Sequence, residues 1–279
     1  MLSRRAFLRT TVATAVAAAG TGVYAWRIEP HWLEIVRRQL PIRNLPESLV
    51  GRSLVQLSDI HVGPRVADGY VLDTFQRIRA LAPDIVVFTG DFTSYHPEIL
   101  DHLRPVYDHA PHGRLATVGI LGNHDYGPGW AHPEVAEQIG KELTRRGVQV
   151  LRNERHEVEG LAIVGLDDLW ARRFAPEAIL PEVPGDRPSL VLSHNPDTVD
   201  RGGWGDYQGW VLSGHTHGGQ CKPPFLPPPL LPVENRRYTA GTFEVGGGRR
   251  LYISRGVGHL IPVRFNVRPE VTVFELQRA

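Results

Sequence analysis

Apolar residues along this chain gather in short runs that stop at polar or glycine-containing loops, and the runs alternate with segments of helical period. The runs at 54–57, 85–89, 116–121, 161–165, 190–193 and 210–213 are almost continuously apolar, the pattern of strands covered on both faces. Val71, Phe75, Ile78 and Leu81 recur at helical spacing. So do Val135, Ile139 and Leu143, after a Pro133 suited to a first helical turn. The last third changes character. Segments 239–244 and 250–254 flank a Gly246-Gly247-Gly248 turn and predict an antiparallel hairpin, and 271–276 predicts a further strand. Pro223–Pro232 is too rich in proline for a helix or a central strand and predicts an irregular loop. Alternating α and β followed by β predicts an α/β protein of two packed sheets covered by helices.

The start of the chain follows different rules. Ser3-Arg4-Arg5-Ala6-Phe7-Leu8-Arg9 precedes an uncharged stretch from Thr10 to Trp26. Paired arginines, Phe-Leu, a basic residue and a weakly apolar Ala/Thr/Gly run resemble a twin-arginine export signal. The alternative is a membrane anchor, although the run is short and diluted with Thr and Gly for a spanning helix. Either reading places the protein outside the cytoplasm, in the periplasm or cell envelope, with the export machinery as one partner. Residues 27–50 read as a connecting segment in which Trp32, Leu33, Ile35, Val36 and Leu40 form one apolar helical face. That face either rests on a membrane surface or packs against the body. The division expected is 1–26 leader, 27–50 connector and 51–279 catalytic domain.

Composition narrows the function. Of 279 residues, 42% are hydrophobic and 22% charged, which describes a globular chain and excludes a disordered one. The net charge of +1 gives no electrostatic case for nucleic acid. The single cysteine, Cys221, cannot form an internal disulfide, so stability must come from packing.

The polar residues that end the apolar runs are the informative ones. They form five clusters: Asp59-Ile60-His61, Gly90-Asp91, Gly122-Asn123-His124-Asp125, Ser193-His194-Asn195, and Gly214-His215-Thr216-His217-Gly218-Gly219. Carboxylate, imidazole and amide oxygen suit borderline divalent metals such as Mn, Fe and Zn. Loops at the carboxyl ends of strands in α/β sheets converge on one crevice. Any one cluster alone reads as a turn, because Gly, Asn and Asp are ordinary turn residues. Together they point to a metal site. Asp167 and Asp168 also follow a strand but read as a turn or cap, and the eight histidines outside the clusters read as structural or surface residues.

The order D-x-H, G-D, G-N-H-D, H and G-H-x-H resembles the calcineurin-like metallophosphoesterase superfamily. Ser193-His194-Asn195-Pro196-Asp197, Arg237-Tyr238-Thr239-Ala240-Gly241 and Arg255-Gly256-Val257-Gly258 are similar to its YaeI/YkuE-type bacterial phosphodiesterases. The resemblance implies a four-layer α-β-β-α sandwich of two mixed sheets and a dinuclear metal centre. It implies Asp59, His61 and His217 on one ion, Asn123, His194 and His215 on the other, and Asp91 bridging. His124 takes the position of the general acid, with Asp125 orienting its ring. The implied reaction is hydrolysis of a phosphoester, most simply a diester of the cell envelope, by a hydroxide generated between the ions. Two rivals are a pyrophosphatase acting on a lipid-linked nucleotide and a metal-binding scaffold without activity. Arg255, in a Gly-flanked loop, is either a bidentate clamp on the substrate phosphate or an ordinary loop arginine. The family's G-D-x-x-D-R pattern is broken, because Gly90-Asp91 continues as Phe92-Thr93-Ser94-Tyr95 and offers no second carboxylate there.

Overall fold

The computed structural model describes residues 3–279, so Met1 and Leu2 of the expected leader lie outside the described residues. Two mixed six-stranded sheets pack face to face. The first has the order β1 (Glu34–Ile42), β12 (Glu270–Arg278), β2 (Ser53–Leu57), β3 (Ile85–Thr89), β4 (Ala116–Ile120) and β5 (Gln149–Leu151). The second has the order β10 (Gly241–Val245), β11 (Arg249–Ile253), β9 (Trp210–Ser213), β8 (Ser189–Leu192), β7 (Leu161–Gly165) and β6 (Glu154–Val158). Strands β2 to β5 are parallel, as are β7, β8, β9 and β11, so their carboxyl ends share one edge of the sandwich. The expected hairpin is present as β10 and β11.

The two-residue period of a strand sorts the apolar side chains into three cores. Leu54, Ile85, Val87, Ile163, Leu190, Leu192 and Leu212 meet between the sheets. Their neighbours Val55, Val86 and Phe88 face outward onto helices α2 (Asp68–Ala80), α3 (Ile99–Tyr107) and α4 (Pro133–Arg145). On the far side, Val164, Val191, Val211 and Ile253 are covered by short 3₁₀ turns and loops carrying Leu180, Val199, Trp204 and Tyr207. Continuous apolar runs therefore reflect burial on both faces. Gln56 is the polar exception between the sheets: its Nε2 donates to Thr89 Oγ1 and, across the interface, to Ser213 O, each at 3.0 Å.

The connector at 27–50 is not a helical face. Its residues Glu34–Ile42 form β1, paired in parallel along its whole length with β12 from Glu34↔Glu270 to Ile42↔Arg278. β-Branched Ile35 and Val36 favour a strand, and Pro41 would interrupt a helix at its interior. Leu40 and Ile42 enter the core between the sheets, followed by Leu45 and Leu49. The folded body therefore begins well before residue 51. Helix α1 (Arg4–Val23) buries no side chain, whereas the turn after it docks firmly. Ala25 O accepts Arg264 N–H at 2.9 Å and the buried Glu29 accepts Val267 N–H at 2.5 Å.

A chain beginning at Gly51 should consequently fail to fold stably. It loses β1 and the four buried side chains of Leu40, Ile42, Leu45 and Leu49. At about 1.5–3 kcal/mol each, that loss is comparable with the ~5–15 kcal/mol that holds a domain together. Urea unfolding of that chain should show no cooperative transition, while a chain beginning at Leu33 should keep one.

Candidate metal centre

The five clusters lie at the shared edge, each just beyond its strand: Asp59 and His61 after β2, Asp91 after β3, Asn123 after β4, His194 after β8, and His215 and His217 after β9. All seven side chains belong to buried residues. Asp59, His61, Asp91, His215 and His217 have φ between 50° and 69°, in the left-handed region. Such backbone costs a non-glycine residue about 1–2 kcal/mol, and five instances together mark a site whose geometry is imposed by its surroundings. Two glycines permit the close approach. A Cβ at Gly122 would lie 2.2 Å from Asp91 Oδ1, and one at Gly214 would lie 1.8 Å from Ser58 Oγ.

The side chains fall into two sets. Asp59, His61 and His217 offer ligand atoms within 4.8 Å of one another, and so do Asp91, His194 and His215. Asp91 Oδ2 stands between the sets, 3.5 Å from His61 Nε2 and 3.2 Å from His194 Nε2. The two Nε2 atoms of His61 and His217 face each other at 3.1 Å. Tautomers can be read from the second ring nitrogens. His194 Nδ1 lies 2.7 Å from Thr89 O, which can only accept, so Nδ1 carries a proton and Nε2 is the ring atom turned toward Asp91. His61 is held by Ser94 Oγ at 3.2 Å on Nδ1. Ser94 thus supports a ligand in the stretch where the expected second carboxylate is missing. His215 Nε2 and both amide atoms of Asn123 are buried without a partner.

A histidine nitrogen and an amide left without partners beside two carboxylates fit a pair of divalent cations, and the mixture of carboxylate, imidazole and amide suits that chemistry. Burial and close neighbours displace the protonation equilibria of these groups in both directions. Burial pushes Asp59 up to about 7 and drives His61 and His215 down to about 3, and His217 goes well below its ordinary value. Burial also opposes charge on Asp91 and His194. Their neighbours prevail: His194, His124 and His61 hold Asp91 well below the carboxylate range, and Asp91 and Asp59 push His194 up to about 10.

His124 is half-buried, with its ring edge-on to His61 at 5.2 Å and to Trp130 at 6.4 Å. Its backbone N–H donates to Asp91 Oδ1 at 2.9 Å, which fixes it beside the shared carboxylate. Asp125 does not orient that ring. Its oxygens accept from Phe92 N (3.2 Å), Thr93 N (3.0 Å), Thr93 Oγ1 (3.2 Å) and Gly122 N (2.9 Å), so the carboxylate is spent on pinning the 91–94 loop to the 122–126 turn. Burial and the charge of Asp91 push it up to about 7 against those donors.

Arg255 is no phosphate clamp in this fold. Its guanidinium is taken up by Glu270 and by Glu34, the latter at 2.9 Å, and it does not line the cavity. The neighbouring backbone matters more. Val257 N and Gly258 N donate to Ser58 O and Asp59 O at 2.9 and 2.6 Å, buttressing the first ligand loop. Fully buried Arg264 holds this buttress by donating to the carbonyls of Arg255, Gly256 and Gly258 at 2.7–3.2 Å, although burial pulls its guanidinium down to about 10.

The crevice opens into a cavity of about 510 Å³ bounded by Asp91, His124, His215 and His217 on one side and Leu230 and Ile261 on another. Trp130 and Trp170, tilted by 35° with centroids 4.5 Å apart, form a wall, with Trp170 edge-on to His215 at 4.4 Å. Asp167 binds Tyr126 and Arg152, and Asp168 caps Ala171 N at 2.7 Å, as a turn would. The other Asp168 oxygen is buried without a partner, and burial pushes that carboxyl up to about 6. Of the residues that sequence reasoning passed over, Gln56 left a signal, as a polar residue within an apolar run. Arg264 and Ser94 left none.

Residues 52–219 match the calcineurin-like phosphoesterase family. Over 287 residues the chain is 34% identical to the phosphodiesterase YaeI of Escherichia coli, covering 99% of this chain and 100% of that one. It is 33% identical to the metallophosphoesterase YkuE of Bacillus subtilis, over 99% and 98% of the two chains. To the UDP-2,3-diacylglucosamine pyrophosphatase LpxG of Chlamydia trachomatis it is 29% identical, over 94% and 95%.

Two substitutions test the surroundings of the site. Asp125→Asn sets an amide donor against N–H donors and should lower stability by about 1–3 kcal/mol in urea unfolding; an activity loss with no stability loss would mean that Asp125 acts on His124 instead. His259 is neutral in the fold because burial lowers it from 6.5 to about 4. The unfolded chain therefore takes up a proton first as pH falls, and stability present above pH 6.5 drains away toward pH 4. That interval is worth roughly 3 kcal/mol, so His259→Gln should flatten the difference between urea midpoints measured at pH 7.5 and at the acid end by about that amount.

Proposed function

The chain belongs to the calcineurin-like phosphoesterase family and is a phosphoesterase, and from that membership we propose that it hydrolyses a phosphodiester at a centre of two divalent ions. Asp59, His61 and His217 would hold one ion and Asn123, His194 and His215 the other, with Asp91 shared, and Mn, Zn or Fe fits these donors. When bound, such a pair supplies Lewis acidity at the phosphoryl oxygens and activates water for in-line attack.

The chain's own residues do the rest. His124 stands at the cavity wall beside Asp91, and neither of its ring nitrogens is engaged by a described residue, so one is free to give a proton to the departing oxygen. Its backbone bond to Asp91 keeps that donor at a constant position relative to both ligand sets. Trp130 and Trp170, tilted against each other, lie edge-on to His124 and His215 and offer an aromatic surface to the leaving group. The observation that carries the preference for a diester is the charge of the wall: among the described residues no Lys or Arg lines the cavity. A monoester dianion would enter with little to balance its second charge, whereas a diester carries only one.

A lipid-linked pyrophosphate is the second reading. Leu230, Leu231, Leu260 and Ile261 form the outer wall of the cavity, and LpxG, a relative over nearly the whole chain, is named for that class of substrate. The apolar α1 fits the twin-arginine export signal or a retained anchor, with the body on the outer side and an envelope phosphoester within reach.

Protein stripped of metal and refilled should regain hydrolysis of a chromogenic diester with Mn, Zn or Fe, and should favour it over the matching monoester. Asp91→Asn should abolish the recovery. His124→Ala should cost about 10²–10⁴-fold on a poor leaving group, and far less on a good one. Equal turnover of monoester and diester, or activity that persists without metal, would contradict this reading.

A further inference from the structure

We propose that the rim of the cavity is a docking surface for a lipid bilayer, and that α1 anchors the body with this rim pressed against the membrane. Four large side chains on two adjoining loops stand out from the body: Phe225, Leu226, Leu230 and Ile261 are 105%, 59%, 74% and 57% exposed. Leu230 and Ile261 also line the cavity, so the apolar patch and the opening are one surface. Water is a poor partner for such a patch, and exposed apolar clusters of this kind mark contact sites.

The chain itself indicates what covers it. Lys222 N bonds Phe265 O at 2.9 Å and Gln220 Nε2 bonds Ile261 O and Val263 O at 2.9 and 3.0 Å, which ties the two loops together. The next residue along, Arg264, donates its N–H to Ala25 O at 2.9 Å. The end of the N-terminal helix is thus fastened directly beside the rim. That helix, from Arg4 to His31, has 28 residues, is apolar enough to cross a membrane and is unburied along its apolar window. Its α-helical part, Arg4–Val23, has 20 residues, which at ~1.5 Å per residue matches the ~30 Å hydrocarbon layer.

Where it meets the body, the helix carries the aromatic and cationic groups suited to a headgroup region. Arg27 lies 3.9 Å over the exposed Trp26 ring, and Arg268 lies 4.3 Å over exposed Trp32. Arg4, Arg5 and Arg9 sit at the far end, which favours keeping that end in the cytoplasm and the body outside. Helix, collar and rim then share one bilayer, and the cavity opens at headgroup depth.

Depth measurement tests this without relying on catalysis. The full chain is placed in vesicles of phosphatidylethanolamine and phosphatidylglycerol, with a nitroxide at Phe225→Cys or, separately, at Leu226→Cys, each combined with Cys221→Ser. Lys141→Cys on exposed α4 is the reference. The expected result is that both rim labels are relaxed by oxygen and lose access to a water-soluble nickel chelate, while the Lys141 label stays open to the chelate. Chelate access at both rim positions equal to that at 141 would overturn the proposal, whether or not the protein hydrolyses diesters.

Discussion

Lone pairs that converge in a buried crevice repel one another unless cations lie among them, and that constraint organises this molecule. Asp59, Asp91 and four histidines present their acceptor atoms to one another within a few ångströms at the shared edge of two sheets. Isolated from water, such an arrangement is unfavourable. It persists because parallel strands deliver the residues from two sheets, and because loops of left-handed backbone turn the side chains inward. The arrangement is suited to receive positive charge.

Much of the remaining structure holds that arrangement in place. Gln56 ties the sheets together close to the crevice. Asp125 locks the loop of one ligand to the turn of another through four hydrogen bonds. Arg264 is buried at a cost in desolvation, and it returns rigidity to the loop that supports Asp59. None of these groups faces the cavity, yet each limits how far the ligands can relax. The cavity has a separate character: beyond Asp91 and the histidines, its wall is largely aromatic and aliphatic.

The parts legible in the sequence were those governed by local pattern. Runs with no polar interruption marked strands buried on both faces, and the side chains that meet in the crevice announced themselves as Asp, His and Asn just past those runs. The edge strand β1 was not legible, because its exposed residues Arg37, Arg38 and Gln39 broke the apolar run and Trp32 to Leu40 also satisfies a helical period. Its pairing partner lies more than 230 residues away, at β12, and sequence spacing says nothing about that contact. Asp125 was misread, and Arg255 left open between two readings, for a related reason. Asp125 adjoins His124 and Arg255 lies in a Gly-flanked loop, but their hydrogen bonds run to backbone donors and to distant carboxylates that only the folded chain brings near.

The most direct test of the account is metal stoichiometry under equilibrium dialysis, read by elemental analysis on the full chain and on Asn123→Ala and His217→Ala. The account predicts two divalent ions per native chain. Each variant, having lost a ligand from a different set, should fall toward one. A native chain that binds a single ion or none, or variants that both keep two, would contradict the reading of this crevice as a dinuclear centre.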